Sequence, residues 1–211
     1  MTDFFIAADA QVNYSFMPDE HKEGNALHVR FYLERNAQVV VEVLFAHITG
    51  ELIIEAFLIG EGASISINGA YVLDGTDRLQ LRTLQHHQAA HTKSNLVMRG
   101  VLNGTSYAAY NGMIRVDKAA RASVSSQENK NILLSTGARA LSVPSLEVLT
   151  NDVRCLHASA IGRFDQDQLF YAASRGITEK KAQQLFLQAF FATLFKNELL
   201  QNRLKQLVHH E

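Results

Sequence analysis

Residues 144–177 read PSLEVLTNDVRCLHASAIGRFDQDQLFYAASRGI, and the grain of the chain changes inside them. Up to about residue 160 the segment keeps the short, β-compatible runs of everything before it. Beyond that point Asp165 or Asp167 is placed to cap a helix through Gln168–Ser174. Gly176 follows where a left-handed stop residue is favoured. Thr178 suits the N-cap of a long second helix. The apolar positions Ala182, Leu185, Phe186, Ala189, Phe190 and Leu194 follow the three-and-four spacing of one helical face. Leu199, Leu200, Leu204 and Leu207 continue a stripe almost to the end. The segment thus divides the chain into a β core, residues 1–160, and a helical subdomain, residues 161–211.

Upstream of the segment the chain alternates with period two. Leu27, Val29, Phe31 and Leu33 interleave with His28, Arg30, Tyr32 and Glu34. Ala63, Ile65 and Ile67 interleave with Ser64, Ser66 and Asn68, and Leu79 and Leu81 with Gln80 and Arg82. Alternation of this kind turns one face of each strand inward. Residues 39–45 are almost continuously apolar. Glycines at 50, 60, 69, 75, 100, 104 and 112 recur at strand-plus-turn spacing. Asn68-Gly69, Asn103-Gly104 and Asn111-Gly112 are read as turns. Short strands at this spacing fit a sandwich or barrel as well as a stacked solenoid, and periodicity does not separate them.

With 47% apolar and 19% charged residues among 211, the chain can build a sizeable core. A net charge of −1 gives no general attraction to nucleic acid or anionic lipid. No apolar run approaches the roughly 18 residues of a membrane span. The start, MTDFFIAADA, lacks the basic and apolar regions of a secretory signal. The single cysteine excludes an intrachain disulfide and points to a reducing cytoplasm.

That cysteine, Cys155, lies two residues before His157. On a strand both side chains share a face. A thiolate and an imidazole suit a soft transition metal or an iron–sulfur fragment. Two ligands do not complete a site, so others must come from elsewhere or from a second chain. As a nucleophile–base pair, Cys155 and His157 lack a third group to orient the histidine, since Asp152 falls on the opposite strand face. His86, His87 and His91 read better as a polar surface turn between strands than as a metal site. His209-His210 reads as a solvated tail. Phosphate-loop, dinucleotide-binding and serine-hydrolase signatures are absent, and no paired carboxylates stand out.

In order along the chain, a series of short pieces resembles the core of the SufD/SufB family of iron–sulfur cluster assembly proteins. They are Asp77–Thr83 with His86 or His87; Arg99-Gly100-Val101-Leu102 with Gly104 and Ser106; Tyr110, Gly112, Ile114 and Val116; Gln127–Ser135; Pro144, Leu146 and Glu147; Asp152, Val153, Cys155 and His157; and Leu169-Phe170-Tyr171 with Ser174-Arg175-Gly176-Ile177. The Cys-x-His pair and Asn129-Lys130-Asn131 are SufD-like, and Glu128 stands where SufB has a cysteine. The resemblance implies a mainly β protein: a right-handed parallel β-helix core with a C-terminal α-helical subdomain, in a short form lacking the family's N-terminal region. It implies a non-enzymatic, cytoplasmic scaffold. Its C-terminal helices would dock a SufC-type ABC ATPase, and its β-helix would pair with a SufB-like subunit or with itself. No cofactor would be held stably; a transient iron–sulfur cluster would form at the subunit interface near Cys155 and His157. Ala158-Ser159 departs from the family's Gly-Ala at that point. The rival readings are a self-associating β-helix module without cluster activity and a carbohydrate-active β-helix enzyme. The enzyme would need carboxylates or basic residues clustered on one exposed sheet face. In the helical subdomain, Phe190, Phe191, Leu194 and Phe195 supply more apolar circumference than one contact face needs. That suits either tight packing of the two helices on the end of the sheet or docking of a partner protein by part of the face.

Overall fold

A computed structural model describes residues 1–17 and 25–209. Twelve strands wind as a parallel solenoid: β1 Thr2–Ile6, β2 Gln11–Phe16, β3 Asn25–Leu33, β4 Gln38–Ala46, β5 Gly50–Leu58, β6 Ser64–Leu73, β7 Arg78–His87, β8 Lys93–Leu102, β9 Tyr107–Val116, β10 Ser123–Leu133, β11 Arg139–Val148 and β12 Val153–Gly162. Odd strands stack in one six-stranded sheet and even strands in another, so each coil gives one strand to each sheet. Every pairing is parallel. The architecture is therefore a parallel β-helix with three helices after it: α1 Gln166–Ser174, α2 Glu179–Phe191 and α3 Glu198–His209.

The period-two reading places the inward side chains correctly. Val29, Phe31, Leu33, Ile65, Ile67, Leu79 and Leu81 are all buried. Register then stacks them in columns across coils. One runs Leu33–Leu58–His87–Val116–Val148. Another runs Val12–Val39–Ile65–Ser94–Ser125–Cys155.

The continuous apolar run in β4 has a second cause. Its outward residues Leu44 and Ala46, with Ala70, Val72 and Val101 of neighbouring strands, form a second core against Leu187, Phe191, Leu194, Leu200 and Leu204. The helices therefore cover the outer face of the even-strand sheet rather than its end. Burial on both faces removes the polar alternation.

Two of the three Asn-Gly pairs are not turns. Gly104 has φ +63° and does turn the chain, but Gly69 and Gly112 lie within β6 and β9. They serve space, not conformation. A Cβ at Gly69 would meet Met98 Sδ at 2.2 Å, and one at Gly112 would meet Gln127 Nε2 at 2.1 Å. Gly100, within β8, plays the same part, because a Cβ there would lie 2.0 Å from the Tyr71 ring.

Asp165 caps α1, its carboxylate accepting from the Asp167 N–H at 2.9 Å. Thr178 caps α2, and Gly176 has φ +80° between them. The expected long second helix is instead two. Asn197 starts α3, its Oδ1 accepting from the N–H groups of Leu199 (2.9 Å) and Leu200 (3.3 Å). The buried face of α2 is Ala182, Leu187 and Phe191, whereas Leu185 is exposed. A helix apolar most of the way round fits several faces, and the corner before α3 selects which one meets the sheet.

Candidate functional site

Cys155 and His157 lie on β12, the edge strand of its sheet. Register pairs Cys155 with Ser125 and His157 with Gln127, both buried residues of β10. Both therefore point to the lumen side of the last coil, about 7 Å apart at two strand residues. Cys155 is half-buried and His157 exposed. Val153 and Cys155 pack on the small cluster of Ile114, Val116 and Ala120. Burial pushes the Cys155 thiol up, so it stays protonated until something displaces the proton.

This coil is the open end of the described solenoid. β11 pairs only with β9, and β12 only with β10. Leu146 and Ile161 occupy lumen columns yet are 45% and 43% exposed, and neighbouring Leu149 is 51% exposed. Apolar lumen side chains that no further coil covers, with strand edges beside them, are poor solvent surface.

Behind the open end the lumen is polar. Ser123, Ser125, Gln127, Asn129 and Asn131 are the buried face of β10. The Tyr71 hydroxyl crosses Gly100 to donate to Asn131 Oδ1 and accepts from Asn129 Nδ2 at 3.1 Å. Tyr110 and Thr83 hydroxyls are 2.8 Å apart.

His87 does not lie in a surface turn. It ends β7 fully buried, with Nδ1 2.7 Å from Thr92 Oγ1 and Nε2 2.8 Å from Ser94 Oγ. Burial, then the charge of His86, drives its pKa down to about 4. His86 faces outward and pairs with Asp117 at 3.0 Å. Only His91 is in the turn, at φ +60° and exposed. Adjacent strand residues point to opposite faces, which separates His86 from His87. Among the described residues no group of three or more His, Cys, Asp or Glu side chains could hold a metal ion. His210 lies outside the described residues, as does the side chain of His209.

On the outer face of the odd-strand sheet, Glu55 meets both His28 and Arg30 at 2.7 Å, and Glu51 meets Arg82 at 3.0 Å. Each carboxylate is committed to a cation. On the helical side, α2 and α3 border a groove of about 320 Å³ lined by Leu187, Phe191, Phe195, Leu204 and Val208. Phe170, Tyr171 and Leu199 are 77%, 61% and 78% exposed. No described helix is long and apolar enough to cross a membrane.

One functional-looking residue escaped the sequence reading. Glu42, in the middle of apolar β4, is 4% exposed and accepts the backbone N–H groups of Lys196 and Asn197. A carboxylate interrupting such a run was the available signal.

Comparison with known proteins is consistent with this geometry. Residues 1–190 match the family model described as the SufBD core domain of SUF system FeS cluster assembly. The chain is 34% identical over 163 residues to an iron–sulfur cluster assembly SufBD family protein of Mycobacterium leprae, covering 72% of this chain and 42% of that one. It is 32% identical over 135 residues to the iron–sulfur cluster assembly protein SufD of Escherichia coli, covering 64% of this chain and 32% of that protein. The chain thus spans less than half the length of these relatives.

Proposed function

The chain belongs to the SufBD core family of the SUF iron–sulfur cluster assembly system, and from that membership we propose that it is a SufD-like scaffold subunit rather than an enzyme. It works in the cytoplasm, where a single reduced cysteine is stable. The open end of the solenoid pairs with a SufB-like subunit or with a second copy. The helical subdomain docks a SufC-type ABC ATPase.

The observation that carries this reading is the position of Cys155 and His157. They stand on the outermost coil, whose outer strand edges are unpaired and whose lumen residues Leu146 and Ile161 are exposed. A partner that covers those residues also closes over the thiol and the imidazole. The iron–sulfur cluster is cargo here. This chain offers two donors of suitable softness, and the partner supplies the rest. The protonated Cys155 thiol gives up its proton as iron binds, so loading strengthens as pH rises.

The test has two arms. In calorimetric titration with its cognate SufC-type ATPase the protein is expected to bind; absence of heat and of co-elution removes the scaffold reading. Cys155→Ala and His157→Ala are expected to lower cluster yield in a complementation assay while ATPase binding stays at the wild-type level. Wild-type cluster yield in both variants removes the donor role.

A further inference from the structure

Glu42 and Arg99 project from the outer face of the even-strand sheet, on β4 and β8, two strands apart. Each meets one side of the corner between α2 and α3. The Glu42 carboxylate accepts from the N–H groups of Lys196 at 2.5 Å and Asn197 at 2.9 Å, just ahead of α3. Arg99 donates to the carbonyl of Phe190 in the last turn of α2, and its guanidinium lies 5.4 Å from the Phe190 ring centroid. The charges match the helix ends: anion at the N-terminus of α3, cation at the C-terminus of α2. Gln201 Nε2 donates to the Phe195 carbonyl at 2.7 Å, tying the corner to α3.

The buried core between helices and sheet is aliphatic and aromatic. Such burial is strong but non-directional, and it leaves an interhelical angle weakly specified. A carboxylate 4% exposed is tolerated only where its hydrogen bonds are satisfied, which ties it to one position of the backbone. The groove has one wall from α2 and the corner (Leu187, Phe191, Phe195) and the other from α3 (Leu204, Val208). Its shape therefore depends on the angle at residues 192–197.

We infer that Glu42 and Arg99 are positioning residues for partner docking: they clasp the α2–α3 corner to the sheet and set the groove before the partner arrives. This rests on the ATPase-docking reading above, which it deepens by naming what presents the docking face.

The first measurement uses the full chain alone. Hydrogen exchange should show the amides of Lys196 and Asn197 protected. Glu42→Ala should cut that protection at least about tenfold and spread the loss into α3, while β3–β8 amides stay as in wild type. Glu42→Gln, whose amide oxygen still accepts one N–H, should restore part of it. A general fault in folding would not follow that order. The second measurement adds the SufC-type ATPase. Glu42→Ala and Arg99→Met should each weaken binding about tenfold, mainly through slower association. Unchanged protection at residues 196–197 in Glu42→Ala overturns the clasp, and unchanged affinity once protection is lost overturns its part in docking. If wild type does not bind the ATPase, the docking reading falls, and exchange alone decides whether the clasp exists. If Glu42→Ala does not fold, Glu42→Gln and Arg99→Met carry the same comparison.

Discussion

The first three coils and the last three share one backbone and differ in what fills it. Through β6 the lumen columns are mostly hydrocarbon: Val39 on Ile65, Val41 on Ile67, Leu33 on Leu58. Beyond β6 the first column turns to Ser94 and then Ser125 and the third to His87, while the second runs on through Leu96 before it reaches Gln127. At the N-terminal end aromatic rings cluster, Phe4 stacked on Phe31 and tilted against Tyr14. The C-terminal end leaves Cys155 and His157 at a rim. A parallel solenoid needs only that side chains fit rung upon rung. Apolar rungs are held by burial, which tolerates small shifts. Polar rungs are held by directional bonds in low dielectric, which fix each group and punish its loss. The polar half thus gives up adaptability for a defined arrangement next to the proposed cluster joint.

The comparison breaks most sharply in the apolar half. Phe31→Ala removes a ring 1% exposed and is expected to cost about 4 kcal/mol of unfolding free energy. Urea denaturation measures it, and a loss under about 1 kcal/mol would mean that the neighbouring rings collapse into the gap.

Acid should next pick out the polar half. His87 has a folded pKa of about 4 against an ordinary value of 6.5. The folded state therefore disfavours the protonated ring. The stability of the neutral form is fully present above 6.5 and is lost as pH falls through 4. Between pH 7 and pH 4 wild type should lose about 3 kcal/mol more than His87→Gln. Parallel curves for the two proteins would show that His87 is not the sensor.

The smallest expected effect sharpens the contrast. Tyr71→Phe deletes only a hydroxyl, yet leaves Asn131 Oδ1 and Asn129 Nδ2 without it. The expected loss is about 2 kcal/mol by denaturant titration. A neutral result would mean that Asn129 Nδ2 and Asn131 Oδ1 find new partners, beside the Asn131 Nδ2 to Asn129 Oδ1 bond already present.

Much of the strand pattern was legible because alternation is a local property of the backbone. The ordered pieces from Asp77 to Ile177 carried the fold class where periodicity stopped. The same-face relation of Cys155 and His157 followed from their spacing. That this face is the lumen, at an open end, did not, because no residue near them encodes which strand lies alongside. His87 and His86 show the same limit: adjacent in sequence, one is buried among hydroxyls and the other pairs with Asp117 at the surface. Gly69 and Gly112 looked like turn residues and are clearances for Met98 and Gln127.

By itself, then, the sequence determined the periodicities, the cap at Thr178 and a cap at Asp165 or Asp167, the single thiol and the family. Those depend on residues within a turn or a few strand positions of one another, or on a linear order of motifs. Tertiary structure alone decided the columns, the polar lumen, the corner held by Glu42 and the rim position of Cys155. Each requires residues about 30 to 150 positions apart to meet, and only the stacking of one coil upon the next brings them together.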